Sequence, residues 1–257
     1  MRQILQPAAI YVMWSRELKR FVRAKSRLIS TIIQPFFFLA ILGSGIRTIS
    51  FPGSSLQGNY LDFLAPGIIT MSILFSSMFA GVSILWDKQF GFLQEVLVAP
   101  VSRLSIIIGR TLGGASTALI QGFIILGASL ILGVDFIGIG GVLLAILLMF
   151  FISCSSVGLG LIFASRMQDF QGFQLFMNLI MLPLLMLSGA FFPVTSETPL
   201  YYIALFNPVF YMVDGLRATL IGTNYSTMPL SLDITVIIAL FTLFMLLGSY
   251  LFSTSEA

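Results

Sequence analysis

GFLQEVLVAPVSR occupies residues 91–103 and lies between two long apolar runs. It carries Phe92, Leu93, Val96, Leu97 and Val98 beside Glu95, Pro100 and Arg103. Left in water, each large apolar side chain forgoes about 1.5–3 kcal/mol of burial. Phe90, Leu93 and Leu97 share one face of a short helix, Pro100 ends it, and Ser102 is placed to cap the helix that follows. The segment therefore reads as an amphipathic helix whose apolar face docks on lipid, on the rest of the chain, or in a groove of another protein.

The flanking runs decide the class. Of 257 residues, 58% are hydrophobic and 9% charged, and the mean hydropathy is +1.03, outside the range of soluble domains. Windows free of Asp, Glu, Lys and Arg run over 28–46, 63–86, 111–134, 136–165, 170–196 and 234–255. About 20 such residues cross roughly 30 Å of hydrocarbon. The twelve Leu, Ile, Val and Phe residues of the last window contribute roughly −4 to −7 kcal/mol of insertion free energy. A further window, 198–213, is broken by Pro199 and Pro208 and reads as re-entrant or interfacial. The expectation is an all-α polytopic membrane protein with six transmembrane helices, at about 28–46, 63–86, 106–133, 138–164, 172–193 and 234–253. An amphipathic helix falls within 1–27, a loop at 87–105, and a re-entrant segment at 194–217 between spans five and six.

Basic residues orient this scheme. Arg2, Arg16, Lys19, Arg20, Arg23, Lys25, Arg27, Lys88, Arg103, Arg110 and Arg166 fall on one side, eleven against Arg47 and Arg217 on the other, while acidic residues split five and five. Lys/Arg bias without acidic bias marks the cytoplasmic side, so both termini and the 87–105 loop are expected there and 194–217 outside. The net charge of +3 thus reflects topology and implies no nucleic-acid partner. In residues 8–27, Ile10, Trp14, Leu18 and Phe21 take one side of a helix and Arg16, Lys19, Arg20 and Arg23 the other. Such a basic amphipathic helix rests on lipid or docks a partner. No small-residue cleavage site interrupts the run after Arg27, so this segment is expected to be kept.

Absences narrow the function. There is no histidine, and Cys154 is the single cysteine, so no disulfide framework, zinc site or haem-ligating pair is expected. The chain has no G-x-x-x-x-G-K-[ST] loop; Gly109–Gly114 and Gly138–Gly141 lack its lysine. Ion-coupled carriers keep ionisable residues inside their spans. These windows hold none, so the energy for transport is expected from elsewhere, with an ion-coupled carrier or channel as the alternative of another class. Small residues recur at four-residue spacing as Ser72, Ser76 and Ala80, as Ser156, Gly160 and Ala164, and as Gly109 and Gly113, for packing within the chain or at a dimer seam. Pro183 predicts a kink, and Asn178 one turn earlier needs a polar partner. Phe191, Phe192, Tyr201, Tyr202, Phe206, Phe210 and Tyr211 form either an aromatic belt or a surface for sugar rings or an amphipathic drug.

LQEVLVAPVSRLSIIIGR (93–110) resembles the loop between the second and third spans of ABC-2 type permeases, the membrane subunits of type-2 ABC exporters. LSGAFFPVTSETPLYYIALFNPVFYMVDGLR (187–217), with its SG-x-FFP and NP-x-x-Y-x-x-D-x-x-R pattern, is similar to the family's external segment, and the chain most resembles the daunorubicin-resistance and nodulation-type group. The resemblance implies that 28–255 is an ABC-2 type transmembrane domain, paired with a second permease copy through the first and fifth spans. It also implies two copies of a separate ATP-binding subunit that hold ATP and Mg, so this multi-pass plasma-membrane chain would be no enzyme and would bind no cofactor or metal. Phe90, Leu93, Glu95, Leu97, Ala99, Pro100 and Arg103 would couple to the ATPase, and Trp14, Arg16 and Arg20 would belong to a connecting helix beside it. Phe191, Phe192, Pro193, Asn207, Pro208, Asp214 and Arg217 would form the external gate. The implied cargo is a hydrophobic or amphipathic drug or lipid, moved outward, with a lipid-linked glycan second.

Overall fold

The computed structural model describes residues 5–45, 59–90, 101–167, 169–194 and 199–254. Helices α1 (Pro7–Arg23), α2 (Lys25–Gly45), α3 (Tyr60–Gln89), α4 (Arg103–Ile131) and α5 (Ile139–Arg166) come first. A broken helix follows: α6 (Phe170–Phe176), a π-helical turn (Met177–Met181) and α7 (Leu182–Met186). Two short helices, α8 (Pro199–Leu205) and α9 (Pro208–Leu220), precede a 3₁₀ turn (Thr223–Tyr225) and the long α10 (Leu230–Thr254). Among the described residues there is no strand.

Among the described residues, four helices are long and apolar enough to cross a membrane: Tyr60–Asp87, Arg103–Ile131, Ile139–Arg166 and Leu230–Leu251. The first and fifth charge-free windows give shorter apolar helices, Thr31–Gly43 and Phe170–Met186. The fifth window, charge-free over 170–196 with a kink expected at Pro183, is broken in the structure, and its helix ends at Met186. Pro183 lacks the N–H an α-helix needs, a π turn precedes it, and Leu187–Gly189 then reverses the chain, with Gly189 at φ +73° in the left-handed region. Asn178 is exposed, at the edge of a small space shared with Phe75 and Phe79 of α3.

α3 is the centre of the bundle, with Leu64, Ile68, Ile69, Ile73 and Met78 all fully buried. Close approach is built from missing side chains. A Cβ on Gly81 would lie 2.7 Å from the carbonyl oxygen of Gly160, binding α3 to α5. One on Gly114 would lie 2.6 Å from Ala80 Cβ and 3.0 Å from Val157, where α3, α4 and α5 meet. Gly158 of α5 backs onto Phe244 and Gly248 of α10. These small-residue stripes are seams within one chain, where dispersion contacts rather than water exclusion hold helices together. The outer face of α10, with Leu243, Leu246, Leu247 and Tyr250, is exposed and apolar, as a lipid-facing surface must be.

Candidate functional site

At one end of the bundle, α1 lies along the first half of α4. Pro7 sits at its N-terminus, where a missing N–H costs nothing, and the chain breaks at Ala24 (φ −83°, ψ 64°) before α2. Gln6 N donates to Ser105 Oγ at 2.9 Å, and Trp14 Nε1 to Ser116 Oγ at 3.0 Å. Between these ties, Gly109 and Gly113 leave room for α1: their Cβ atoms would lie 2.7 Å from Met13 Cβ and 2.6 Å from Glu17 Cβ. The glycine pair entering α4 is therefore the seat of α1.

This seat rotates α1 from the face its sequence suggests. The buried residues are Met13, Glu17 and Phe21, while Ile10, Trp14 and Leu18 are half-buried. Hydropathy ranks faces for a helix lying on lipid, whereas α1 lies on protein, and Glu17 is tolerated because Ser83 Oγ donates to its Oε1 at 3.3 Å.

A charge knot joins α1, α3 and α4. Asp87, 2% exposed near the end of α3, receives Arg16 Nη2 at 2.8 Å and Nη1 at 3.3 Å, Arg20 Nη2 at 3.2 Å, and Arg110 Nη2 at 2.8 Å. The Arg20 guanidinium also lies 6.0 Å from the Trp86 ring, itself 5.9 Å from Phe170 of α6. A carboxylate this buried persists only because several charge-assisted donors replace its water. Sequence reading used Asp87 and Arg110 as rulers for span ends and missed them as a pair. Their signal is opposite charge at matching ends of two antiparallel helices.

The knot brackets the opening stretch. Phe90, 82% exposed, is the first residue beyond α3, and exposed Arg103 opens α4, where Ser102 Oγ accepts from Ser105 N at 3.2 Å as the expected cap. Leu93, Glu95, Leu97, Ala99 and Pro100 lie outside the described residues.

At the other end, α9 is held by its own polar residues. Asn207 Oδ1 accepts from Val209 N at 3.0 Å and caps the helix, with Pro208 at N1, while its Nδ2 donates to Leu184 O at 2.6 Å, a carbonyl in the last turn of α7. Arg217 Nη2 donates to Gly189 O at 2.7 Å and Phe63 O at 3.4 Å, and its guanidinium stacks 3.9 Å from the centre of the Phe63 ring. Asp214 lies 3.9 Å from Arg217 and accepts from Thr227 N at 2.9 Å and Met228 N at 2.8 Å. Burial pulls the Arg217 guanidinium down to about 10 against the opposing pull of Asp214, so it stays charged at neutral pH. Burial also raises the Asp214 carboxyl, opposed by Arg217 and the two amides.

Asn207, Asp214 and Arg217 are thus buried staples that fix the Ser188–Ala190 turn and the loop after α9 against α3. Phe191 is buried too, 5.9 Å from the Phe38 ring, and its carbonyl accepts from Tyr60 Oη at 2.8 Å. Phe210 belongs to the interior as well. Phe192, Tyr202 and Phe206 are exposed, and Pro193 is half-buried beside them. Of the seven external-segment residues singled out, four face inward.

Two small cavities lie among the described residues. A cavity of about 70 Å³ lies among Leu74, Met78, Ser156, Leu184, Met212 and Phe244, and one of about 60 Å³ among Phe75, Phe79, Phe173, Gln174, Met177 and Asn178. Drug-sized ligands occupy pockets of roughly 300–1,000 Å³.

These features define a polytopic helical membrane protein with a loop-bearing end braced by an amphipathic helix and an opposite end closed by short stapled helices. Residues 8–221 match the ABC-2 type transporter family, and the chain belongs to that family of membrane transport permeases. It is 28% identical over 221 residues to the inner membrane transport permease YadH of Escherichia coli strain K12, covering 84% of each chain. A protein of Cyanophora paradoxa named transport permease ycf38 is 27% identical over 210 residues, 81% of this chain and 72% of its own. One of Mycobacterium tuberculosis, named doxorubicin resistance ABC transporter permease protein DrrC, is 27% identical over 122 residues, 48% of this chain and 44% of its own.

Proposed function

We propose that this chain is the permease half of an ATP-driven exporter: two copies form the pathway, and two copies of a separate ATP-binding subunit dock on the 91–100 segment. The observation that carries this reading is the Asp87 knot. It ties α1 to the two helices that flank the segment, so a push delivered there moves α1, α3 and α4 together. Phe90, Leu93 and Leu97 would anchor the subunit, and Glu95 and Arg103 would supply its charge partners. The absence of a phosphate-binding loop fits a chain that leaves hydrolysis to a partner.

In this reading α2 and the broken α6–α7 helix complete six spans, and the end bearing α1 is cytoplasmic, by the eleven-to-two bias of basic residues. The shorter, outward-facing α2 and α6–α7 supply the dimer seam, where exposed Asn178 would find its partner. Neither of the two small cavities among the described residues could hold such a cargo, which supports a path between copies. The cargo is a hydrophobic or amphipathic drug or lipid, a choice supported by the name of the DrrC relative. A lipid-linked glycan is the second reading, favoured by the exposed rings of Phe192, Tyr202 and Phe206, on which sugars stack.

Reconstitution tests it. Liposomes holding the permease and its ATP-binding subunit are expected to move a hydrophobic dye only with ATP, and the permease alone to move none. Flux through the permease alone, driven by an ion gradient, would establish the carrier or channel instead. Orientation is read separately in a Cys154→Ala background, where a cysteine at position 197 is expected to label from outside and one at 95 from inside.

A further inference from the structure

The outward face of α1 is a stripe of cations. Val12, Arg16, Lys19 and Arg23 follow one another at helical spacing, and with Ser15, Arg20 and Ala24 they line an open recess of about 670 Å³. The recess opens away from α4, because the buried residues Met13, Glu17 and Phe21 occupy the opposite side. Apolar Tyr11, Val12 and Val22 are exposed alongside the cations, a combination that suits a membrane surface better than bulk water.

The knot fixes the depth of this recess. Asp87 and Arg110 are level with one another because they pair at 2.8 Å. From Arg110 to Ile131, α4 runs about 32 Å at 1.5 Å per residue, which matches the roughly 30 Å hydrocarbon slab. The plane of the knot is therefore the boundary of that slab, where phospholipid headgroups lie. Arg16 and Arg20 both reach Asp87, so the recess they line sits at headgroup level.

Positive charge dominates this end of the bundle: among the described residues of α1 and the knot, Arg16, Lys19, Arg20, Arg23 and Arg110 make five cations against the two carboxylates of Glu17 and Asp87, a surplus of three. Arg20, 31% exposed and lining the recess, can still offer a guanidinium N–H to an anionic oxygen there. A phosphate group offers several such oxygens.

We propose that the basic stripe of α1 binds the phosphate of an anionic phospholipid in the leaflet next to the α1 end, and that the lipid thereby stabilises α1 on the Asp87 knot. Lys19 and Arg23 are its free-standing arms, and Arg16 and Arg20 link it to the knot. Binding requires neither nucleotide nor the ATP-binding subunit, so it stands or falls apart from the transport reading. A nanodisc presents lipid on both faces, so it is also tested independently of orientation.

The test uses the full-length permease in phosphatidylcholine nanodiscs, titrated with short-chain phosphatidylglycerol and, separately, with inorganic phosphate. The double variant Lys19→Gln with Arg23→Gln leaves every contact of Asp87 in place. It is expected to bind phosphatidylglycerol about 25-fold more weakly than wild type, about fivefold per cation, while the charge-preserving pair Lys19→Arg with Arg23→Lys keeps wild-type binding. Added salt is expected to weaken wild-type binding, and inorganic phosphate to bind neither protein comparably. Equal affinity of wild type and the double glutamine variant, salt-independent binding, or inorganic phosphate binding as tightly as the lipid would overturn the proposal. So would a double variant that loses the ATP-binding subunit while keeping its lipid affinity, because the stripe would then belong to a protein partner.

Discussion

Asp87→Asn should separate a structural knot from an incidental cluster of charges. Asparagine keeps the size of the side chain but removes its charge, so three guanidiniums lose their counter-ion together. They do not suffer equally. Arg16 and Arg20 are 28% and 31% exposed and can swing into water, where such pairs are worth about 0.2–1 kcal/mol each. Arg110 is 3% exposed, and its Nε and Nη1 already lack acceptors, so its charge is stranded. Leaving one buried charge without a partner costs about 3–5 kcal/mol, and we expect a loss in that range, dominated by Arg110. Arg110→Met alone strands Asp87 less, because Arg16 and Arg20 remain, and should cost less than Asp87→Asn. The double variant should recover most of the loss, since removing both members of a buried pair in favour of apolar volume is close to neutral. Reversible unfolding of the four proteins in mixed micelles measures this as a double-mutant cycle. Losses under about 0.5 kcal/mol for Asp87→Asn, or strictly additive effects without rescue, would refute the reasoning.

Gly109→Leu places a branched side chain where even a Cβ would lie 2.7 Å from Met13 Cβ, so α1 should leave its seat; faster tryptic release of residues 1–23 from folded permease would show it, and an unchanged rate would contradict the seating. Arg217→Lys keeps the charge but cannot span Gly189 O, Phe63 O and the Phe63 ring, and a loss of about 2–4 kcal/mol is expected in the same unfolding assay, with Phe192→Ala near zero. Leu97→Asp would bury an unpaired charge in the proposed contact and should release the ATP-binding subunit on co-purification at matched expression. Glu95→Ala should lower substrate-stimulated hydrolysis more than assembly, because coupling depends on a contact that differs between two states. Undiminished recovery and normal stimulation in both variants would remove the coupling role.

The long helices were legible because the cost that shapes them acts on each residue separately: one charge in hydrocarbon is expensive wherever its neighbours lie. Charge-free length therefore located α3, α4, α5 and α10, four helices able to cross. The same one-dimensional accounting failed wherever two residues cancel in space. Asp87 bounded the second expected span and Arg110 lay inside the third, yet the two were not read as partners, although each supplies the counter-charge that lets the other be buried. At the fifth window Pro183 did signal a break, but the π turn before it and the Ser188–Gly189 reversal after it carry no charge to read. The N-P-x-x-Y-x-x-D-x-x-R pattern was visible as spelling, but its chemistry depended on partners far away in sequence. Arg217 is positioned for the carbonyl of Gly189, which is exposed to it only because that glycine adopts a left-handed backbone, and Asn207 takes the Leu184 carbonyl left free where α7 ends. Glycine spacing was ambiguous for a related reason. Gly109 and Gly113 announce that something approaches α4 closely, and only the third dimension shows that it is α1 of the same chain rather than a second copy. That assignment takes the glycine pair of α4 out of the surfaces open to a second copy, because α1 already covers it.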